Sequence, residues 1–468
     1  MFSRLDDPND DTCLLLESGG VLSYRDLLNN SSLIASRVLP RDVVLLVCRN
    51  DWESVAAYVG FMRRGAVPLL MNDSVKRDFI TGLKDAYRPS YVFAPAGMEG
   101  GGKKICELGG YSLRSTGCEI DYEVHPDLAL LLSTSGSTGS PRLVRQTRSN
   151  VTANTGSIIE YLKIRPGDRA ITTLPMSYTY GLSIINTHLC AGASLILTDR
   201  TLMDRGFWGA LKSQGATTFG GVPYTYEMLK KLRFERMSLP SVRYLTQAGG
   251  KLSAELSAEF ADICAGKGME FIVMYGQTEA TARMSYLPWQ YARSKAGSIG
   301  VPIPGGAFSL KDHDGEEIRA PGVVGELVYS GPNVTPGYAE SRFDLALGDE
   351  RQGVLETGDM AYFDGDGFYY ITGRKKRFLK LFGNRVSMDE IEALMKSGGF
   401  DCACGGRDDD LKVYTTSRDV AKARAFLLEK SSVNPAGFSV VRVDEIPKNP
   451  AGKVLYGELE ALGADSDV

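Results

Sequence analysis

The sequence predicts an α/β fold with a second, smaller domain, on three observations. Short, wholly apolar runs of strand length recur with amphipathic stretches between them. At 468 residues the chain is too long for one ordinary core. The patterning also changes character twice, near Gly297 and again near Arg374. With 43% hydrophobic and 24% charged residues, the composition is that of a globular protein and leaves no room for large-scale disorder.

From Val43 the run VVLLVC reads as a buried strand. In WESVAAYVGFMRRGAVPLLM an amphipathic helix ends near Gly65 and another apolar strand follows, which is a βαβ rhythm. It recurs through LALLLSTSGSTG, SLILTD and EFIVMYG, so about the first 300 residues are read as α/β with largely buried strands. The cluster GMEGGGKK at 97–104 reads as a surface loop. Between Gly297 and Gly331, short strands and many Gly and Pro turns predict a small β-barrel or sheet cap.

Near residue 374 a small α+β domain is predicted to begin, with the basic GRKKR stretch as its junction. Ser387 and Glu390 have capping-box spacing, Ile391, Leu394 and Met395 form one apolar face, and Gly398 can end the helix. A strand, a helix and a strand follow in DLKVYTT, AKARAFLLEK and FSVVRVDEI.

A formal net charge of -4 argues against nucleic acid as the main partner and for a small-molecule substrate. The start MFSRLDDPNDDT lacks a signal-peptide pattern and no apolar run approaches ~18 residues, so the reading is cytoplasmic, with no membrane partner. Eight scattered cysteines have neither disulfide-framework nor zinc spacing and read as reduced thiols, with Cys402 and Cys404 the one close pair. Only three histidines are present, none near another, so the chemistry must rest on other groups.

The strand LALLL runs into Ser133 and then STSGSTGS at 133–140. Backbone N–H groups and hydroxyls there can converge on an anion, with Arg142 and Arg145 supplying charge just beyond. The Walker A spacing is absent, and alone the stretch fits either a flexible linker or a phosphate loop.

STSGSTGSPRLVRQTRSN resembles the phosphate-binding signature of the adenylate-forming superfamily: acyl-CoA synthetases, peptide-synthetase adenylation domains and luciferases. Further likenesses follow in the family's order through LPMSYTYGL, AGGKLSAEL, MYGQTEAT, GELVYSGPNVTPGY, ETGDMAYFDGDGFYYITGR, LKLFGNRVSMDEIE and PKNPAGKVLY, covering nearly the whole chain. The resemblance implies a large N-terminal domain (1–373) of two βαβ-type sheet subdomains plus a small β-barrel, and a small mobile α+β C-terminal lid (374–468) hinged near Lys376.

It also implies a ligase that joins a carboxylate to the α-phosphate of ATP, expels pyrophosphate, and passes the acyl group to the pantetheine thiol of CoA or an acyl carrier protein. Thr134, Ser135, Gly136, Ser137, Thr138, Gly139 and Arg142 would clasp the phosphates, and Gly249, Gly250, Tyr275 and Gly276 would border the nucleotide. Thr278 would contact the α-phosphate, Glu279 would hold Mg²⁺, and Asp359 with Arg374 would take the ribose. Lys453 would reach the carboxylate and the α-phosphate, whereas Lys380, Gly383 and Arg385 would lie near the thiol tunnel in a second domain orientation. Tyr178, Gly181, Tyr224, Ala248 and Ala280 would border a pocket for a small carboxylic acid, drawn from segments including 280–284 and expected to have limited polarity.

Departures are visible too. Arg142 stands where the family has lysine, and Tyr178 and Arg148 stand at common histidine positions. No aspartate marks an amino-acid ammonium site near Tyr178, and the C-terminal domain is short. An amino-acid adenylation enzyme and a non-catalytic nucleotide-binding homologue are therefore kept as alternatives. A dehydrogenase lacks its G-x-G-x-x-G loop, and GDMAYFDGDG lacks EF-hand spacing.

Overall fold

Every residue of the strand Val43–Cys48 is buried, as an apolar run without alternation requires when both faces of a sheet are covered. The helix Trp52–Arg64 follows, started by the Asp51 side chain accepting from the Ser54 N–H and stopped at Gly65, which takes φ 84°. It leads into Val67–Asn72, which pairs parallel to the first strand with Val67 opposite Val43. The computed structural model describes the whole chain except residues 1, 3–4, 7–8, 76, 99–100, 119–120, 134–141, 383, 432, 449–453 and 460–468, and the side chains of 376, 378, 384 and 385.

This βαβ unit sits in an eight-stranded sheet whose strands begin, in spatial order, at Gly337, Leu143, Leu128, Val67, Val43, Tyr91, Tyr111 and Lys103. The last of these turns the end of the expected 97–104 loop into the strand Lys103–Leu108. A nine-stranded sheet runs through strands beginning at Val301, Ser285, Glu270, Tyr244, Thr218, Arg169, Ser194, Thr12 and Val21. One apolar core joins the two: Val44 and Leu46 from the first sheet and Leu14 and Leu195 from the second pack with Val55 and Leu189 of the helices. Tyr58 and Asn186 tie two of those helices through a 3.0 Å hydrogen bond.

The chain divides into two compact units, Met1–Ala307 with Ser330–Leu355, and Phe308–Tyr329 with Glu356–Val468. The boundary expected at 373/374 falls inside the second. The stretch from Gly297 to Gly331, read as a small barrel, supplies Ala307–Lys311 and Gly325–Ser330 to a four-stranded sheet completed by Val354–Phe363 and Tyr369–Arg374.

Further on, Met388–Ser397 is the expected helix, with Ser387 accepting from the Glu390 N–H and Ile391 and Met395 buried. A Cβ on Gly398 would meet the Phe426 ring at 2.5 Å, so the helix stop also packs. The strands Cys402–Arg407, Asp410–Thr415 and Phe438–Arg442 make a three-stranded sheet, beside the helix Val420–Lys430. Cys402 and Cys404 are both buried in its core, where burial pushes the thiols up, and they serve as packing groups.

Candidate active site

The strand Glu270–Tyr275 lies parallel to Tyr244–Gln247, and its C-terminal end delivers the chain to Gly276. Ligands of open α/β sheets gather at such ends. A side chain at Gly276 would run into the Ala282 carbonyl, so the turn closes only around glycine. Thr278–Ala280 then forms one 3₁₀ turn. Distant residues fix it: Asn333 donates to the Ala280 carbonyl at 2.9 Å, and Thr335 donates its N–H and its hydroxyl to the Glu279 carbonyl at 3.0 and 2.9 Å. Thr278 is buried and Glu279 half-buried, so the turn aims a carboxylate outward from a rigid base.

Tyr338 donates its hydroxyl to Glu279 Oε1 at 2.7 Å. The guanidinium of Arg142 lies 3.6 Å and that of Arg351 4.6 Å from the centroid of the same ring. Arg351 also donates to the Thr335 hydroxyl at 2.6 Å. One anion and two cations thus converge on a single phenol, and Arg142 Nε also lies 3.8 Å from Glu340 Oε1. Burial first, and the Glu279 charge second, push the Tyr338 phenol up to about 12, which keeps it a hydrogen-bond donor at neutral pH.

Arg145 does not take the phosphate-side position expected of it. It is 1% exposed and donates to the carbonyls of Tyr338, Leu347 and Gly348 and to Glu350. It lies in the strand Leu143–Thr147, whose residues 143–146 are all buried, so both faces are covered and the side chain pins the 337–350 segment. The residues Thr134, Ser135, Gly136, Ser137, Thr138 and Gly139 of the expected phosphate loop lie outside the described residues.

Among the residues expected to border the acid and the nucleotide, a Cβ at Gly249 would come 2.6 Å from the Tyr178 hydroxyl, and Gly249 holds φ 84°. Tyr178 stands at the N-terminus of the helix Thr179–Ala191, where Gly181 lets the chain pass against the Pro175 carbonyl. Gly250 packs on Pro223, Ala248 and Ala280 are buried, and Tyr224 is exposed. Within the 280–284 segment of the expected pocket lies Arg283. It is 3% exposed, rests 3.8 Å over the Tyr180 ring and donates to the Ser183 hydroxyl at 3.2 Å.

In the second unit, Asp359 and Arg374 face each other across antiparallel strands, with Arg374 Nε 3.4 Å from Asp359 Oδ1. Asp359 is buried and Arg374 exposed. The Arg374 N–H donates to Asp389 at 3.0 Å, and Lys375 pairs with Glu326 at 2.6 Å. Lys376 sits in the 3₁₀ turn Lys375–Arg377. The exposed Lys380 lies in a hairpin opposite Arg385, its N–H donating to Asp408 at 2.8 Å. Gly383 and Lys453 fall outside the described residues. Arg377 bonds Asp389 and Glu392 and lies 3.8 Å under the Tyr456 ring.

The model of AMP-binding enzymes matches residues 3–339. This chain belongs to the AMP-binding enzyme family. As such it is an AMP-forming ligase that activates a carboxylic acid as its adenylate and forms a thioester. The chain is 29% identical over 348 residues to the feruloyl-CoA synthase of Amycolatopsis sp., covering 71% of this chain and 69% of that one. It is 27% identical to a 2-succinylbenzoate–CoA ligase of Geobacillus sp., covering 90% and 87%. Its fold matches the O-succinylbenzoate coenzyme A synthetase of Bacillus subtilis in complex with ATP and magnesium ion, at TM-score 0.79, 20% identity and 98% coverage of each chain.

Sequence reasoning about this AMP-binding enzyme missed Tyr338, Arg351, Arg283 and the Arg377 cluster. Tyr338 was present in the quoted PNVTPGY stretch without a role, because its partner Glu279 is 59 residues away. Arg351 carries no local signal at all. Among the described residues, no helix is long and apolar enough to cross a membrane.

Proposed function

We propose that this AMP-binding enzyme activates a small carboxylic acid with MgATP and delivers the acyl group to a pantetheine thiol, on CoA or on a carrier protein. A carboxylate oxygen attacks the α-phosphorus, the bond to the bridging oxygen of pyrophosphate breaks, and the acyl-adenylate forms. No general base is needed, because the nucleophile is already ionised at neutral pH. What must be supplied is orientation and stabilisation of charge that builds on the α-phosphate and the leaving group.

The observation that carries this reading is the Glu279–Tyr338 bond, with Arg142 and Arg351 over the ring. A magnesium site built from one carboxylate completed by phosphate oxygens suits Glu279, whose partner Tyr338 donates to Oε1. When bound, the ion draws charge from the phosphates. Arg142 binds the β- and γ-phosphates together with the 134–139 loop, and Thr278 orients the α-phosphate. Asp359 accepts from the ribose hydroxyls with Arg374 at its side, and Gly249, Gly250, Tyr275 and Gly276 border the adenine. Tyr178, Gly181, Ala248, Ala280 and Tyr224 border the acid. Lys453 serves adenylation, and residues from 374 onward turn about Lys376 to bring Lys380 to the thiol step. Eight unpaired cysteines suit a reducing, cytoplasmic setting.

Acid-dependent exchange of labelled pyrophosphate into ATP, run over aliphatic, hydroxy, aryl and amino acids, tests the reading. Exchange that needs one acid class and disappears in Glu279→Gln supports it. ATP binding without exchange for any acid refutes it in favour of a non-catalytic nucleotide-binding role.

A further inference from the structure

Arg283 is a buried cation of the first unit that, among the described residues, has no anion within ion-pair distance. An arginine is charged at every accessible pH, and burying such a charge without a partner costs several kcal/mol. Yet its side chain is 3% exposed, and among the described residues no carboxylate lies within ion-pair distance. Its contacts are neutral. One terminal nitrogen donates to the Ser183 hydroxyl at 3.2 Å, the guanidinium lies 3.8 Å over the Tyr180 ring, and the buried Nε has no hydrogen-bond partner. The phenols within electrostatic reach, Tyr161, Tyr178 and Tyr180, are all held in their neutral form by burial.

The surroundings are built rather than accidental. Tyr180 is fixed by hydrogen bonds to the Thr246 carbonyl at 2.9 Å and hydroxyl at 2.8 Å, and Gly220 leaves room for it, since a Cβ there would lie 2.7 Å from its hydroxyl. Asn154 and Asn333 hold the Arg283 carbonyl at 2.8 and 2.9 Å, which fixes the backbone from which the side chain starts. Arg283, Tyr180, Ser183, Gly220 and Thr246 line a cavity of about 20 Å³, room for one water-sized group. A long acyl chain does not fit there.

Resting on the proposed ligase activity, we propose that Arg283 is the anchor for a second anionic group, so that the acid activated here is a short dicarboxylate or an equivalent dianion. The chemistry selects this class. The reacting carboxylate loses its charge when it becomes the adenylate, so it cannot remain the counter-ion of Arg283 through the reaction, whereas a distal carboxylate is untouched by either half-reaction. Arg283 also offers a planar fork that suits a carboxylate's two oxygens.

The test compares length-matched acids in pyrophosphate exchange with the full-length protein and MgATP: propionate against malonate, butyrate against succinate, valerate against glutarate. The dianion of at least one pair is expected to lead its partner by on the order of 10²-fold in kcat/KM. Arg283→Gln should erase that lead and leave the Kd of a fluorescent ATP analogue within twofold, while Arg283→Lys retains part of it. If Arg283→Gln fails to fold, the wild-type comparison decides by itself. Monocarboxylates that match or exceed their dianionic partners overturn the anion site and leave the ligase reading standing. No exchange with either class, in a protein that binds the ATP analogue, overturns both.

Discussion

Tyr338 holds Glu279 by a 2.7 Å hydrogen bond and offers its ring to Arg142 at 3.6 Å, so one side chain orders an anion and a cation at once. The two contacts are separable. Tyr338→Phe removes the bond to the carboxylate and keeps the ring; a hydrogen bond to a charged group contributes about 1.5–3 kcal/mol, so kcat/KM should fall by roughly tenfold or more. The half-saturating magnesium concentration should rise in parallel. Tyr338→Ala also strips the platform from Arg142 and Arg351 and should raise KM for ATP as well. A magnesium titration of pyrophosphate exchange in both variants checks this. An unchanged magnesium requirement in Tyr338→Phe would count against the proposed role of Glu279 at magnesium.

Gly249 combines a left-handed φ of 84° with the Tyr178 hydroxyl 2.6 Å from where a Cβ would stand. Gly249→Ala should lower stability by about 1–3 kcal/mol through the backbone conformation alone. The contact adds to that and displaces the Tyr178 hydroxyl. Pairing it with Tyr178→Phe should recover part of the loss in thermal denaturation. Recovery of none would show that the backbone term accounts for the whole effect.

His188 is 2% exposed, and burial, opposed by its bond to the Ile184 carbonyl, pulls its pKa from 6.5 down to about 4. Between those values the unfolded chain binds a proton that the native one excludes, so stability rises with pH across that window. It is lost as pH falls from 6.5 towards 4, by on the order of 3 kcal/mol in all. His188→Gln should flatten that limb of the melting-temperature profile. A limb of unchanged steepness would assign it to carboxylates such as Asp168, which Arg243 holds at 2.7 Å.

For Lys453, assigned by its place in NPAGKVLY, Lys453→Ala should slow adenylate formation by on the order of 10²–10³. Thioester formation from a preformed acyl-adenylate should be spared. Single-turnover measurement of each half-reaction separates the two, and equal loss of both would contradict a lysine used in one orientation of the C-terminal residues.

Features written in consecutive residues were legible from the sequence. The strand Val43–Cys48, the Gly65 stop and the Ser387 cap all follow from local rules. Arg142 and Arg145 mark the edge of that legibility. Both looked like phosphate cations, but Arg145 lies in a strand covered on both faces, and its acceptors lie near residues 338–350. Arg283 was equally hidden: nothing in TEATARMSY says that the arginine is buried, because its burial is decided by Tyr180 and Ser183, about a hundred residues earlier.

The cluster at Arg377 bears on how force passes through the C-terminal residues. Arg377 directly follows Lys376, and its guanidinium is clamped by Asp389, Glu392 and the Tyr456 ring, with Tyr456 in turn donating to Glu392 at 3.3 Å. Tyr456 stands three residues beyond Lys453. On the proposed turn about Lys376, one side chain therefore couples the pivot to the segment around Tyr456, so a rotation begun at residue 376 would carry that segment with it. Arg377→Ala would uncouple that segment from the pivot while leaving the proposed turn itself possible.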